Sequence, residues 1–265
     1  MDGYMAEEAI LRIYRGDNEK GEMVDYKVPL APGMVVLDAV HAVQALHSPD
    51  LAVRWNCKAG KCGSCGGEVN GKPRLMCMDR MDKYPPGEPI VVRPMKSFPV
   101  MKDLATDVSW NYTVNKKIPP FQMAKPKAGA AAHGHGKLDQ LGEPRFSQEE
   151  ADRVQEFRKC IECFLCQNVC HVLRDHQKQP EFGGPRFFVR VASLEMHPLD
   201  TGDRIPLVKD ELGLGYCNIT KCCTEVCPEH IKITDNAIIP LKERVVDRFY
   251  DPVKKLLRIV FPKNS

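Results

Sequence analysis

Twelve cysteines are the residues of this chain most able to do chemistry, and eleven of them fall into spacings that iron–sulfur clusters use. Cys57, Cys62 and Cys65 follow a C-x4-C-x2-C pattern, and Cys77 comes after eleven further residues. This is the plant-type spacing for a [2Fe–2S] cluster. Two irons bridged by two sulfides need four thiolates converging from one loop and a neighbouring strand. Gly60, Gly63, Gly66 and Gly67 remove the Cβ atoms that would keep the loop's N–H groups away from sulfur. The competing reading is a structural zinc module, but zinc sites usually present two paired cysteine turns far apart.

The second run, Cys160-x2-Cys163-x2-Cys166-x3-Cys170, has the bacterial-ferredoxin spacing, in which the fourth thiolate ligates the other cluster of a pair. A returning half-run is present as Cys217, Cys223 and Cys227-Pro228, with Thr220 at the register position of its second cysteine. The reciprocal rule gives Cys160, Cys163, Cys166 and Cys227 to a [4Fe–4S] cluster. Cys170, Cys217 and Cys223 are left for the other centre, which lacks a fourth sulfur. A hydroxyl is a poor iron ligand beside thiolate, so that centre is expected to be [3Fe–4S]. Cys222, next to Cys223, is expected to point away as a buried small hydrophobe, with substitute ligation as the alternative. His171 stands where Cys-Pro is common, so the turn after Cys170 should differ from the usual one. Such centres pass single electrons at potentials from about −700 to +450 mV. They carry no group that activates a metabolite, so substrate chemistry is expected elsewhere.

Length and charge bound the rest. The chain has 265 residues, enough for two domains, and 43% hydrophobic content, which is ordinary for a globular protein. Lys+Arg 38 against Asp+Glu 35 leaves +3, too balanced for the basic stripe that grips a nucleic-acid backbone, so no nucleic-acid partner is expected. No stretch reaches the roughly 18 consecutive apolar residues of a spanning helix. The acidic N-terminus lacks the basic start of a signal peptide, so a cytosolic, reducing location is expected.

The elements that must position the cysteines can be read from periodicity. Residues 9–14 and 23–28 alternate as a half-buried hairpin, and 35–46 switch to helical spacing through Val36, Ala39, Val40, Val43 and Leu46. Asn70-Gly71 marks a tight hairpin between 66–69 and 72–75, and 89–92 is a further β-prone run. Pro119-Pro120 and the Ala/Gly/His stretch 127–137 cannot build a core. His133 and His135 within it are expected to be solvated. Ser147-Gln-Glu-Glu150 is a capping box leading into Ala151, Val154, Phe157 and Ile161 at helical spacing, and helices are expected near 186–196 and 238–249. The expected fold is α+β: an N-terminal β-grasp plant-type ferredoxin domain (1–110), a connecting linker (111–146), and an α-helical bacterial-ferredoxin-like domain (147–265) ending in an amphipathic tail.

The chain resembles the iron–sulfur subunit of succinate dehydrogenase/fumarate reductase. The resemblance is carried by Arg54-Trp-Asn-Cys57, Cys62-Gly-Ser-Cys65-Gly-Gly, Asn70-Gly-Lys72, Arg74-Leu-Met-Cys77, Pro94, Phe98-Pro-Val100, Lys102-Asp-Leu104, Cys160-Ile-Glu-Cys163, Gly184-Pro185, and residues 200–204 and 223–228. It implies an electron-transfer subunit with no substrate chemistry of its own. The implied partners are an FAD-containing flavoprotein subunit that interconverts succinate and fumarate, and an integral membrane anchor subunit that handles quinone. The implied relay runs from [2Fe–2S] through [4Fe–4S] to [3Fe–4S], with the chain peripheral at the cytoplasmic face of the cell membrane. Many members carry a Trp five residues after the counterpart of Cys170 and a His just after that of Cys217. Here Asp175 and Asn218 stand there, as in members with a different, often haem-bearing anchor, which leaves the quinone site and type open.

Succinate oxidation is the leading direction, with fumarate reduction or another flavin-linked dehydrogenase as alternatives. Thiol-coupled fumarate reductases commonly carry additional cysteine-rich domains. The tail, residues 241–261, interleaves apolar and basic residues and is read either as a membrane-surface helix or as a packing helix. The Asn111 and Asn218 sequons are read as chance matches.

Overall fold

The computed structural model describes residues 8–123, 137–138 and 144–253. The chain forms two units. The first comprises Met1–Trp110, Ile161–Gln177 and Glu225–Glu229; the second comprises Asn111–Cys160, Lys178–Thr224 and His230–Ser265.

In the first unit, β1 (Glu8–Gly16) and β2 (Gly21–Pro29) form the expected antiparallel hairpin, and α1 (Val36–Leu46) follows. β3 (Gly66–Val69) and β4 (Lys72–Leu75) are joined by Asn70 and Gly71 at φ 47° and 75°. Two consecutive left-handed residues are what the tight hairpin turn requires. β5 (Ile90–Arg93) enters the middle of the sheet, parallel to β1, giving the order β2-β1-β5-β3-β4. Leu11, Ile13, Val28, Val92 and the α1 residues Val36, Leu37, Ala39, Val40 and Val43 are fully buried together. Apolar stripes of period 2 and 3.6 therefore meet in one core, and the result is a β-grasp.

The second unit is helical. α2 (Ser109–Lys117), which belongs to this unit from Asn111 onward, takes up the start of the stretch read as a connector and buries Asn111 and Val114. Arg204, fully buried, then donates to the carbonyls of Pro119 and Pro120 at 2.9 and 2.6 Å and pairs with Asp200 at 3.0 Å. Thr201 donates to the Gln122 carbonyl through both its N–H and its hydroxyl. This clamp grips backbone carbonyls, which leave no apolar periodicity to read. The stretch 127–136, with His133 and His135, lies outside the described residues, as does the tail beyond Val253.

α3 (Gln148–Gln155) starts at the expected capping box, Ser147 Oγ accepting from the Glu150 N–H and Glu150 Oε2 from the Ser147 N–H. It stops earlier than helical spacing through Ile161 implied. A 3-10 turn, Glu156–Lys159, takes over and delivers Cys160 in extended backbone. α4 (Pro185–Glu195), α5 (Ile205–Asp210) and α6 (Ile239–Phe249) follow, α4 burying Phe187, Phe188, Val191 and Ala192. Directly before α6 the backbone is a π-helix, Ile233–Ile238. Pro240 offers no N–H and crowds the carbonyl four residues back, which accounts for the widened turn. No described helix is long and apolar enough to cross a membrane.

Candidate iron–sulfur sites

The loop holding the first cysteine group is anchored at its base. Asp103, almost fully buried, accepts from the N–H groups of Gly16 and Ala52, each at 2.9 Å, and from Arg15 Nε at 3.0 Å. Leu104 N–H returns to the Ala52 carbonyl at 3.1 Å, fixing the approach to Cys57. The loop then wraps on sulfur: the N–H groups of Ala59 and Lys61 point at Cys57 Sγ at 3.4 and 3.3 Å, and the Cys57 N–H at Cys62 Sγ at 3.5 Å. Gly60 and Gly63 adopt φ of 67° and 69°. A Cβ at Gly60 would lie 2.8 Å from Met78 Cγ. The pairing of Gly66 with Leu75, and the Met76 N–H on the Cys65 carbonyl at 3.1 Å, bring Cys77 beside Cys65.

The four thiols therefore divide by depth, Cys57 and Cys62 toward the exposed rim and Cys65 and Cys77 buried inside. Burial would push the Cys62 thiol up, but hydrogen bonds from Ser64 and from the Cys57 backbone outweigh it and hold the thiol down at about 6. Burial, with the adjacent Cys77 and Cys62 sulfurs, pushes Cys65 up to about 12 despite the Cys77 N–H. Four thiols gathered by one loop and its neighbouring strand, with N–H donors aimed at sulfur, suit a two-iron core. Among the described residues no three His, Cys, Asp or Glu side chains converge as a single-ion site requires.

The other seven expected ligand cysteines divide by unit. Cys163, Cys166 and Cys170, all buried, and half-buried Cys227 belong to the first. Left-handed Glu162 and Phe164 turn the chain on either side of Cys163, and Cys166 sits on the short helix Leu165–Val169. A buried polar network that periodicity does not reveal holds this segment to the sheet. Glu68 accepts from Asn168 Nδ2 at 2.9 Å and from Arg174 at 2.8 Å, while Asn168 Oδ1 accepts from the Ser97 N–H at 3.0 Å. Glu68 is itself buried with the rest of β3, so the acid sits inside the fold only because these partners satisfy it.

Cys160, Cys217 and Cys223 belong to the second unit, with Cys222. Burial pushes the Cys223 thiol up to about 11, opposed by the Thr234 hydroxyl 3.5 Å away. Thr220 is exposed between left-handed Ile219 and Lys221. Cys222 departs from expectation: it is half-buried rather than buried, and its Sγ lies 3.3 Å from the Thr220 hydroxyl. The turn around Lys221 directs it there. Asp175 and Asn218 are both exposed, Asp175 lying 3.3 Å from Lys96 Nζ.

Fold and cysteine pattern together define an iron–sulfur electron carrier that joins a plant-type ferredoxin domain to a bacterial-type one. Residues 10–112 match the 2Fe-2S iron-sulfur cluster binding domain family, and residues 156–231 the 4Fe-4S dicluster domain family. A chain of the Mycobacterium smegmatis Sdh1 complex in the apo form superposes with a TM-score of 0.85 at 59% identity, covering 94% of this chain and 99% of that one. The fumarate reductase iron-sulfur subunit of Mycobacterium tuberculosis is 31% identical over 78% of this chain and 79% of its own length. A component of the fumarate reductase (CoM/CoB) of Methanothermobacter marburgensis is 28% identical over 88% of this chain, which spans only 43% of that relative. The chain belongs to the iron–sulfur subunits of the succinate dehydrogenase/fumarate reductase family.

Proposed function

We propose that this chain is the electron relay of a succinate:quinone oxidoreductase, passing single electrons from the FAD of a partner flavoprotein to quinone at a membrane anchor. When bound, the clusters supply one-electron redox chemistry and nothing else. Cys57, Cys62, Cys65 and Cys77 hold [2Fe–2S]; Cys160, Cys163, Cys166 and Cys227 hold [4Fe–4S]; Cys170, Cys217 and Cys223 hold [3Fe–4S]. The last two sets rest on sequence register and on Thr220 standing where a fourth thiolate belongs.

The observation that carries the relay is the contact of the first cysteine loop with the second run inside one unit. Gly63 packs directly on the backbone of Cys163, so a ligand loop of one centre touches a ligand of the next. The chain's own residues position ligands, aim N–H groups at sulfur and bury the inner thiols; succinate chemistry belongs to the flavoprotein. Direction follows from the partners and the quinone potential, because the relay conducts both ways. The relatives' names include both reactions: the Bacillus subtilis protein, 29% identical over 87% of this chain, is a succinate dehydrogenase iron-sulfur subunit. Peripheral attachment at the cytoplasmic face, held by the anchor, completes the proposal.

Iron analysis of the complex isolated anaerobically tests it. About nine irons per chain are expected, the sum over one cluster of each kind, together with succinate-dependent quinone reduction. Four or fewer, with zinc in their place, would overturn the three-cluster reading.

A further inference from the structure

Asn168 lies inside Cys166-x3-Cys170, between a thiol assigned to one centre and a thiol assigned to the next. It is fully buried on the short helix Leu165–Val169, and each of its four polar atoms meets a partner. Its N–H donates to the Phe164 carbonyl at 2.9 Å, and its carbonyl accepts from Ser97 Oγ at 3.2 Å. Its side chain donates through Nδ2 to Glu68 Oε1 at 2.9 Å and accepts through Oδ1 from the Ser97 N–H at 3.0 Å.

Glu68 stands on β3 three residues after Cys65, and Ser97 follows β5. One side chain thus refers the Cys166–Cys170 segment to the strand that leaves the first cysteine group. The chemistry selects an amide, because a donor toward a carboxylate and an acceptor toward an N–H are needed from a single branch point. Asp here would set a second carboxylate against Glu68, and an apolar residue of similar size would strand the buried Ser97 N–H. Passage of one electron between centres needs electronic overlap, which falls steeply with separation. Small displacements of a ligand segment are therefore felt, and hydrogen bonds behind the ligands are what hold it.

We propose that Asn168 is a positioning residue of the relay, fixing the separation of the centres held through Cys65, Cys166 and Cys170 by tying the segment between the last two to Glu68 and Ser97. It acts through the ligand backbone. The inference rests on the ligand assignment proposed above, and the iron content of wild type tests that assignment separately.

The test uses the complex isolated anaerobically. Iron content, the EPR line shape of the reduced centres, which broaden one another according to their separation, and stopped-flow electron passage are read for wild type and variants. Asn168→Leu and Asn168→Asp should each alter the broadening and slow passage at least about tenfold. The exchange Asn168→Asp/Glu68→Gln reverses donor and acceptor while keeping one carboxylate for Arg174, and it should restore the line shape and most of the rate. Should a single variant fail to load iron, the exchange still decides, because it must recover what Asn168→Asp loses. Single variants that keep the wild-type line shape and rate, or an exchange no better than Asn168→Asp, would overturn the proposal. A lowered urea midpoint with the line shape unmoved would show a merely structural role and overturn it as well. About four or fewer irons in wild type would overturn the ligand assignment itself, and the positioning role with it.

Discussion

Gly63 has no room for a side chain: a Cβ there would lie 2.6 Å from Cys163 Cα and 2.9 Å from both Cys163 N and Cβ. The first cysteine loop therefore reaches the second run by backbone contact. The neighbouring Gly66 repeats the theme more loosely, where a Cβ would meet Leu165 Cδ2 and Met95 Sδ at 3.3 Å.

Gly63→Ala should accordingly cost about 1–3 kcal/mol in stability through steric overlap and left-handed strain together. It should also slow electron passage from the first centre to the second. Gly71→Ala is the control, because Gly71 shares the positive φ but has nothing within 4 Å of an added Cβ. Denaturant midpoints and stopped-flow reduction compare the two; equal losses would remove the contact as the cause.

Thr220→Cys should let the third centre retain a fourth iron and abolish the oxidised [3Fe–4S] EPR signal. A thiolate-bound iron changes cluster charge and ligation, two controls on potential, and the potential should fall. Succinate-to-quinone turnover should then drop while flavin reduction persists. Cys222 lies within 3.3 Å of the Thr220 hydroxyl, so Cys222→Ala is the companion variant. If wild type lacks the signal and Cys222→Ala restores it, Cys222 supplies the fourth thiolate.

In the chain stripped of iron, the rim and the interior of the first site should separate by reactivity. Cys62, held at about 6, is mostly thiolate at pH 7, whereas Cys65, pushed up to about 12, stays protonated and buried. Brief alkylation at pH 7 followed by peptide mass mapping should label Cys62 first. Lowering the pH below 6 should suppress that labelling, since the reactive form is lost on protonation.

Arg204→Ala should destabilise the second unit by about 3–5 kcal/mol, because it strands the buried Asp200 carboxylate. It also frees the Pro119 and Pro120 carbonyls. Urea unfolding reads the loss. A change below about 1 kcal/mol would show that the pair behaves as an exposed one.

The sequence by itself determined the cysteine register, the Asn70-Gly71 hairpin, the stripe of α1 and the capping box at Ser147, because each is local: spacing, turn chemistry and periodicity act over a few residues. Family membership followed from the same local signals taken in order. The tertiary structure decided what depends on residues far apart in the chain. Glu68 meets Asn168 and Arg174 across about a hundred positions, Arg204 grips Pro119 and Pro120, and Asp103 ties Gly16 to Ala52. Cys222 turned toward Thr220 rather than into a core because left-handed Ile219 and Lys221 reset the direction of the chain there. Polar atoms bond by position and direction, which no periodicity encodes, so these contacts exist only once the fold has brought their partners together.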